Sequence, residues 1–211
     1  MTSPKKIHFL FLGGIVLLAF IFFSYLVHKN LFIHSDFNMT VRLQDHISRK
    51  FDGFFSFLSE IGNAEVVGIV LGVILLFRKK ISGIVVLVSF GVFHLIEIYG
   101  KTFVHHLPPP HFMLRTETLV NFPQFYVSAQ NSYPSGHAAR AWFITTVIFF
   151  MVYKSKKISK ITKYSIYSVL LAYNIIMVVS RVYLGEHWTS DVIGGSLLGF
   201  SFALLSSFVL L

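Results

Sequence analysis

The sequence predicts an all-α polytopic membrane protein, a six-transmembrane-helix bundle with interfacial helical segments. Composition, hydropathy and the spacing of apolar runs each point there. Of the 211 residues, 55% are hydrophobic and 13% are charged, where a soluble domain carries about 25% charged residues. The mean hydropathy is +0.70. Long apolar runs alternate with short polar or basic stretches, as a chain that crosses a bilayer repeatedly requires. Residues 1–211 read as one integral unit.

The first run, Ile7 to Val27, follows Lys5-Lys6 and has no small-residue cleavage site, so it reads as an uncleaved span. His28 to Asn63 mixes Phe37, Phe51, Phe54, Phe55 and Phe57 with Arg42, Asp45, Arg49, Lys50 and Asp52. That mixture suits helix lying in the bilayer interface, or a loop packed on the bundle. Ala64 to Phe77 is apolar but short, and Arg78-Lys79-Lys80 ends it. Ile81 to Tyr99 is the third span, containing His94 and Glu97. Gly100 to Tyr133 is polar and proline-rich. Ala138 to Tyr153, Tyr164 to about Tyr183, and Val192 to Leu211 are the last three spans.

Cysteine is absent, which excludes disulfides and thiolate metal sites. The net charge of +9 would suggest nucleic acid in a soluble protein. Here it is assigned to loop lysines and anionic headgroups, so the lipid bilayer is the expected partner and nucleic acid is not. The loop Lys154 to Lys163 packs five lysines into ten residues. Such a loop is expected in the cytoplasm, together with both termini. The sequence leaves the oligomeric state open.

Two segments carry chemistry. Ser180 to Asp191 places Arg181, His187 and Asp191 at spacings R-x5-H-x3-D just before an apolar run. With a helix starting near His187, Asp191 lies one turn further on the same face. There a carboxylate can fix the imidazole tautomer and stabilise its cation. Arg181 is suited to gripping a phosphate beside it. Pro134-Ser135-Gly136-His137 opens the fourth predicted span. The N–H groups of Ser135 and Gly136 are expected to form an anion site at the positive end of that helix. His137 is then a candidate general acid for a leaving oxygen. Both segments fall at the outer face in the predicted topology.

Glu97 and Lys101 stand four apart on one helix face, an arrangement for an ion pair. His94 reads as a packing residue. His105 and His106 raise a metal reading, but adjacent side chains diverge and no carboxylate cluster accompanies them, so no metal or other cofactor is expected.

These two segments resemble the second and third motifs of the type 2 phosphatidic acid phosphatase superfamily, over roughly residues 60–205. The family's first motif is a lysine, six residues, then Arg-Pro. Lys101 and the spacing match, but Pro108 stands where the arginine should be. His105, His106, Arg115 and Arg140 are candidates to replace it. The resemblance implies metal-independent hydrolysis of a lipid phosphate or diphosphate near the outer interface of a bacterial inner membrane. It implies that His187 attacks phosphorus and that His137 protonates the leaving group. Asp191 would hold His187, while Lys101, Arg181, Ser135 and Gly136 would neutralise the phosphoryl oxygens. Two alternatives use the same residues: phosphoryl transfer to another acceptor, and a non-catalytic lipid-phosphate binder or transporter.

Overall fold

The computed structural model describes residues 4–76, 81–117 and 130–210. Among them are eight α-helices and no strand: α1 (Pro4–His28), α2 (Ile33–His46), α3 (Asp52–Ile61), α4 (Ala64–Leu76), α5 (Ile81–Phe103), α6 (Gly136–Lys154), α7 (Lys160–Tyr183) and α8 (Thr189–Leu210). The cationic row Arg78–Lys80, the preceding Phe77 and residues 118–129 of the proline-rich connection lie outside the described residues.

Helix α8 sits at the centre. Of its apolar stretch 61% is buried inside the bundle, against 17% of that of α1. It packs most extensively on α6 and α1, then on α5. Helices in lipid gain no hydrophobic drive from meeting each other, so they associate where small residues let backbones close in. Gly195 and Gly199, four residues apart, do this for α8. A Cβ at Gly199 would collide with the Ala139 carbonyl, and one at Gly195 with that of Ser135. This close approach brings the first turns of α6 and α8 together, where the Ser135 amide donates to the Asp191 carbonyl at 3.0 Å. Below that junction Phe93, Phe143, Phe150, Leu198 and Phe202 fill the core.

Outward, Phe11, Leu18 and Phe22 of α1, Val88 and Leu95 of α5, and Leu171 and Ile175 of α7 are exposed. Apolar surface so continuous belongs against lipid tails. In α2 and α3 the pattern is inverted relative to a soluble protein. Phe37, Phe54 and Phe57 face out, whereas Asp36, Thr40, Asp52, Ser56 and Ser59 are buried against the bundle.

Four helices are long and apolar enough to cross a membrane: α1, α5, α7 and α8. A fifth crossing arises if Arg49–Ile61 and Val66–Val73, bent by 47°, count as one broken span. Six spans were expected, and the difference has a physical reason. Helix α4 has 13 residues, roughly 20 Å of rise. Helix α6 carries Arg140, Thr145 and Thr146, all buried. Its neighbours wall it in, so its side chains answer to protein rather than to lipid.

Candidate active site

The short distance between the α6 and α8 N-termini gathers the chemistry around two carboxylates. Asp191, in the first turn of α8, is fully buried. Its Oδ2 accepts the Trp188 amide at 2.9 Å and faces His187 Nδ1 at 3.3 Å. That contact puts the proton on Nδ1 and leaves the Nε2 lone pair of His187 available. The other oxygen, Oδ1, lies 2.9 Å from His106 Nδ1. Burial holds the His187 imidazole below its ordinary range, with Lys101 and Arg181 adding to the effect. Asp191 pulls the other way and is outweighed.

Glu97 on α5 is the second hub. Lys101 Nζ approaches it at 3.0 Å, one turn along the helix as expected, and Arg140 of α6 adds a contact at 3.3 Å. His94 Nδ1 lies 3.4 Å away, with its ring also against Phe90 and Phe93. A Cβ on Gly136 would strike the Glu97 carboxylate, so glycine is what lets α5 and α6 meet here. Arg140 Nε also donates to the Gly62 carbonyl at 2.9 Å, which ties the α3–α4 junction to the site.

His137, one residue into α6, points its Nε2 at Asn63 Oδ1, 2.9 Å away. The Asn63 amide nitrogen donates to Glu60, which fixes the amide orientation and so assigns the His137 proton to Nε2. Arg181, Arg140, His187 and Lys101 all lie within electrostatic reach of this ring. Arg181 is wholly buried; it contacts the Ser59 hydroxyl and pairs with Glu186.

The structure therefore brings Lys101, His137, Arg181, His187 and Asp191 into one electrostatic neighbourhood. Ser135 and Gly136 start α6 beside it. Helix α6 begins at Gly136 rather than at Pro134, and the Ser135 amide is engaged by the Asp191 carbonyl. The Ser135 hydroxyl is buried with no hydrogen-bond partner among the described residues. Of the four residues weighed for the place of Pro108, Arg140 stands on Glu97 and reaches His137. His106 lies behind Asp191, the His105 ring lies against His28, and Arg115 sits over the Tyr183 ring at 5.1 Å. Sequence reasoning did not single out Asn63, Glu60, Ser59, Glu186 or Asp36. Asn63, Glu60, Ser59 and Asp36 lie in the segment His28 to Asn63 read as interface or packed loop, whereas Glu186 lies between Arg181 and His187 and was passed over for its neighbours.

An apolar cavity of about 470 Å³ adjoins the site, lined by Ile33, Phe37, His106, Leu107, Pro110 and Trp188 among others. Trp188 Nε1 donates to the Leu107 carbonyl at 2.7 Å and closes one wall of it.

A model of the PAP2 superfamily matches residues 71–210. Phosphatidylglycerophosphatase B of Bacillus subtilis is 28% identical over 123 residues, 58% of this chain and 55% of that protein. The undecaprenyl-diphosphatase of Sulfolobus acidocaldarius is 33% identical over 156 residues, 74% of this chain and 68% of that one. The match thus spans about half the length of the Bacillus relative. Among solved structures, the PAP2-type phosphatidylglycerolphosphate phosphatase from Bacillus subtilis superposes with a TM-score of 0.74 at 23% identity, covering 92% of this chain and 93% of that one. LpxE of Aquifex aeolicus superposes with a TM-score of 0.61 at 23% identity, covering 81% and 93%. At those identities the likeness is one of fold. Motifs, fold and family match agree, and the chain belongs to the PAP2 superfamily.

Proposed function

We propose that the protein is a membrane lipid phosphatase that works without a metal, through a phosphohistidine on His187. The observation carrying this is the His187–Asp191 pair, set among Lys101, Arg140 and Arg181 with His137 opposite. The Nε2 lone pair of His187 attacks phosphorus and the bond to the leaving oxygen breaks. His137 enters as the imidazolium, passes its Nδ1 proton to that oxygen and is left neutral with its Nε2–H on Asn63. Water then attacks the phosphohistidine, His137 takes its proton, and phosphate departs with the His187 Nε2 free again. Phosphoryl transfer of this kind asks mainly for positioning and charge stabilisation. The cations meet the equatorial oxygens, the Ser135 hydroxyl and Gly136 amide complete the cradle, and Asp191 keeps the His187 tautomer. Arg140 stands in for the arginine absent at Pro108.

The substrate class is a lipid monophosphate or diphosphate, of the kind named for the relatives or phosphatidic acid itself. The apolar cavity receives the first part of its chain. Purified protein given a panel of these lipids is expected to release phosphate equally with and without chelator. His187→Ala abolishes release; full activity in that variant would remove the mechanism. Transfer to an acceptor other than water would appear as a phosphorylated product, and binding without release would favour a non-catalytic carrier.

We also infer six crossings, with α4 and α6 as the short, walled-in pair, both termini in the cytoplasm and the site at the outer face of a bacterial inner membrane. The five-lysine loop Lys154 to Lys163 supports that orientation. The absence of native cysteine makes it directly testable. A cysteine at Lys157 should stay unlabelled by an impermeant reagent on intact cells while one at Lys29 is labelled, and the opposite pattern inverts the topology.

A further inference from the structure

We propose that His106 is a positioning residue whose imidazolium, held between Asp36 and Asp191, occupies part of the Asp191 charge and so keeps His187 unprotonated and nucleophilic. The inference rests on His187 being the nucleophile.

Both ring nitrogens of His106 face a carboxylate. Nδ1 lies 2.9 Å from Asp191 Oδ1 and Nε2 lies 3.5 Å from Asp36 Oδ2. A neutral imidazole has one N–H and would turn a lone pair toward one of those oxygens. Only the doubly protonated ring donates to both. The ring is buried, and its backbone is pinned on both sides: its amide donates to Asn131 Oδ1, and its carbonyl accepts from Ser132. Burial alone lowers the affinity of the ring for its proton. The hydrogen bonds to Asp191 and Asp36 outweigh that and raise the pKa from 6.5 to about 9.

The partners of Asp36 are equally specific. The Ser190 amide donates to its Oδ1 at 2.8 Å and the Ser190 hydroxyl to its Oδ2 at 2.6 Å. Asp36 thus anchors the His106 ring from α2 while holding the residue beside Asp191 at the start of α8. Asp191 in turn receives His106 on one oxygen and His187 with the Trp188 amide on the other.

The charged groups around each ring define what the arrangement does. His106 faces Asp36 from α2 and Asp191 from α8. His187 faces Asp191, with Lys101 from α5, Arg181 from α7 and His137 from α6 within electrostatic reach. Removing the His106 cation leaves Asp191 answered by His187 alone. A carboxylate so placed favours the His187 imidazolium, which has no lone pair for phosphorus. Asp191 would still orient the ring but would also disarm it. Sharing the carboxylate between two imidazoles separates those two effects.

The test is the pH dependence of kcat/KM for phosphate release from short-chain phosphatidic acid and from farnesyl diphosphate. Wild type, His106→Gln, Asp36→Asn and His187→Ala are compared. The His106→Gln acid limb should move up by about one pH unit, a roughly tenfold loss at fixed pH on that limb. The basic limb, set by His137, and the KM should be retained. Asp36→Asn leaves the ring in place with one carboxylate and should move the limb in the same direction by less; it serves if His106→Gln does not fold. A limb that stays put, or moves to lower pH, in the folded variants overturns the proposal while leaving the nucleophile assignment intact. Activity in His187→Ala overturns that assignment instead. Wild-type protein offers a check that needs no variant: 15N-histidine spectra at about pH 8 should retain a doubly protonated ring. Their showing none would also overturn it.

Discussion

Glu97 and Asp191 are both buried carboxylates within a few side chains of the histidine pair, and they are surrounded differently. Glu97 on α5 holds Lys101 at 3.0 Å and Arg140 at 3.3 Å. Both partners are cationic side chains rather than imidazoles. Asp191 on α8 holds His106 at 2.9 Å and His187 at 3.3 Å, two rings that titrate. On the proposed mechanism, the first hub supplies positive charge for a phosphate and the second sets which histidine carries a proton.

Breaking the Glu97 hub should have the larger effect. Glu97→Gln leaves Lys101 and Arg140 without their buried counter-charge, and removing one member of such a cluster costs about 3–5 kcal/mol of stability. Phosphate release should fall at every pH, with no movement of the acid limb. A displaced limb would mean that the two hubs are not independent. That outcome contrasts directly with the limb shift expected for His106→Gln.

The smaller effect concerns stability. The folded-state pKa of His106 is raised from 6.5 to about 9, so the folded protein binds that proton more tightly than the unfolded chain does. The contribution is complete below pH 6.5 and is lost as pH rises through about 9. Thermal unfolding of the detergent-solubilised protein should show a midpoint falling by a few degrees across this window, about 2–4 °C for each 1 kcal/mol in a chain of this length. The fall should flatten in His106→Gln. An equal fall in the variant would place its origin in another group.

How much of this was legible in the sequence follows from the same comparison. The Glu97–Lys101 pair is local, four residues apart on one helix, and spacing alone reveals it. The His187–Asp191 pair is equally local. Arg140 could be named as a candidate but not chosen, because the close approach of α5 and α6 at Gly136 that sets it beside Glu97 is a tertiary contact. His106 and Asp191 are 85 residues apart and Asp36 and Ser190 are 154 apart, so no periodicity announces them. Asp36 was obscured further by the reversed polarity of α2, whose buried face is polar and whose outer face carries Phe37. The long apolar runs marked α1, α5, α7 and α8. The run at α6 was visible too, but its burial behind α8 depends on the Gly195–Gly199 approach. The Ser135 amide read as an anion donor because its acceptor, the Asp191 carbonyl, lies on a different helix.

The most direct test of the account is to trap the covalent intermediate. His137→Ala lacks both the acid for the leaving oxygen and the base for water, so the variant is given 32P-labelled p-nitrophenyl phosphate, whose leaving group needs no proton. Rapid acid-free quenching should then show an accumulated acid-labile, base-stable phosphoenzyme. Peptide mapping should place the label on His187. Label on any other residue, or a variant that turns over substrate with the label never entering the protein, would contradict it.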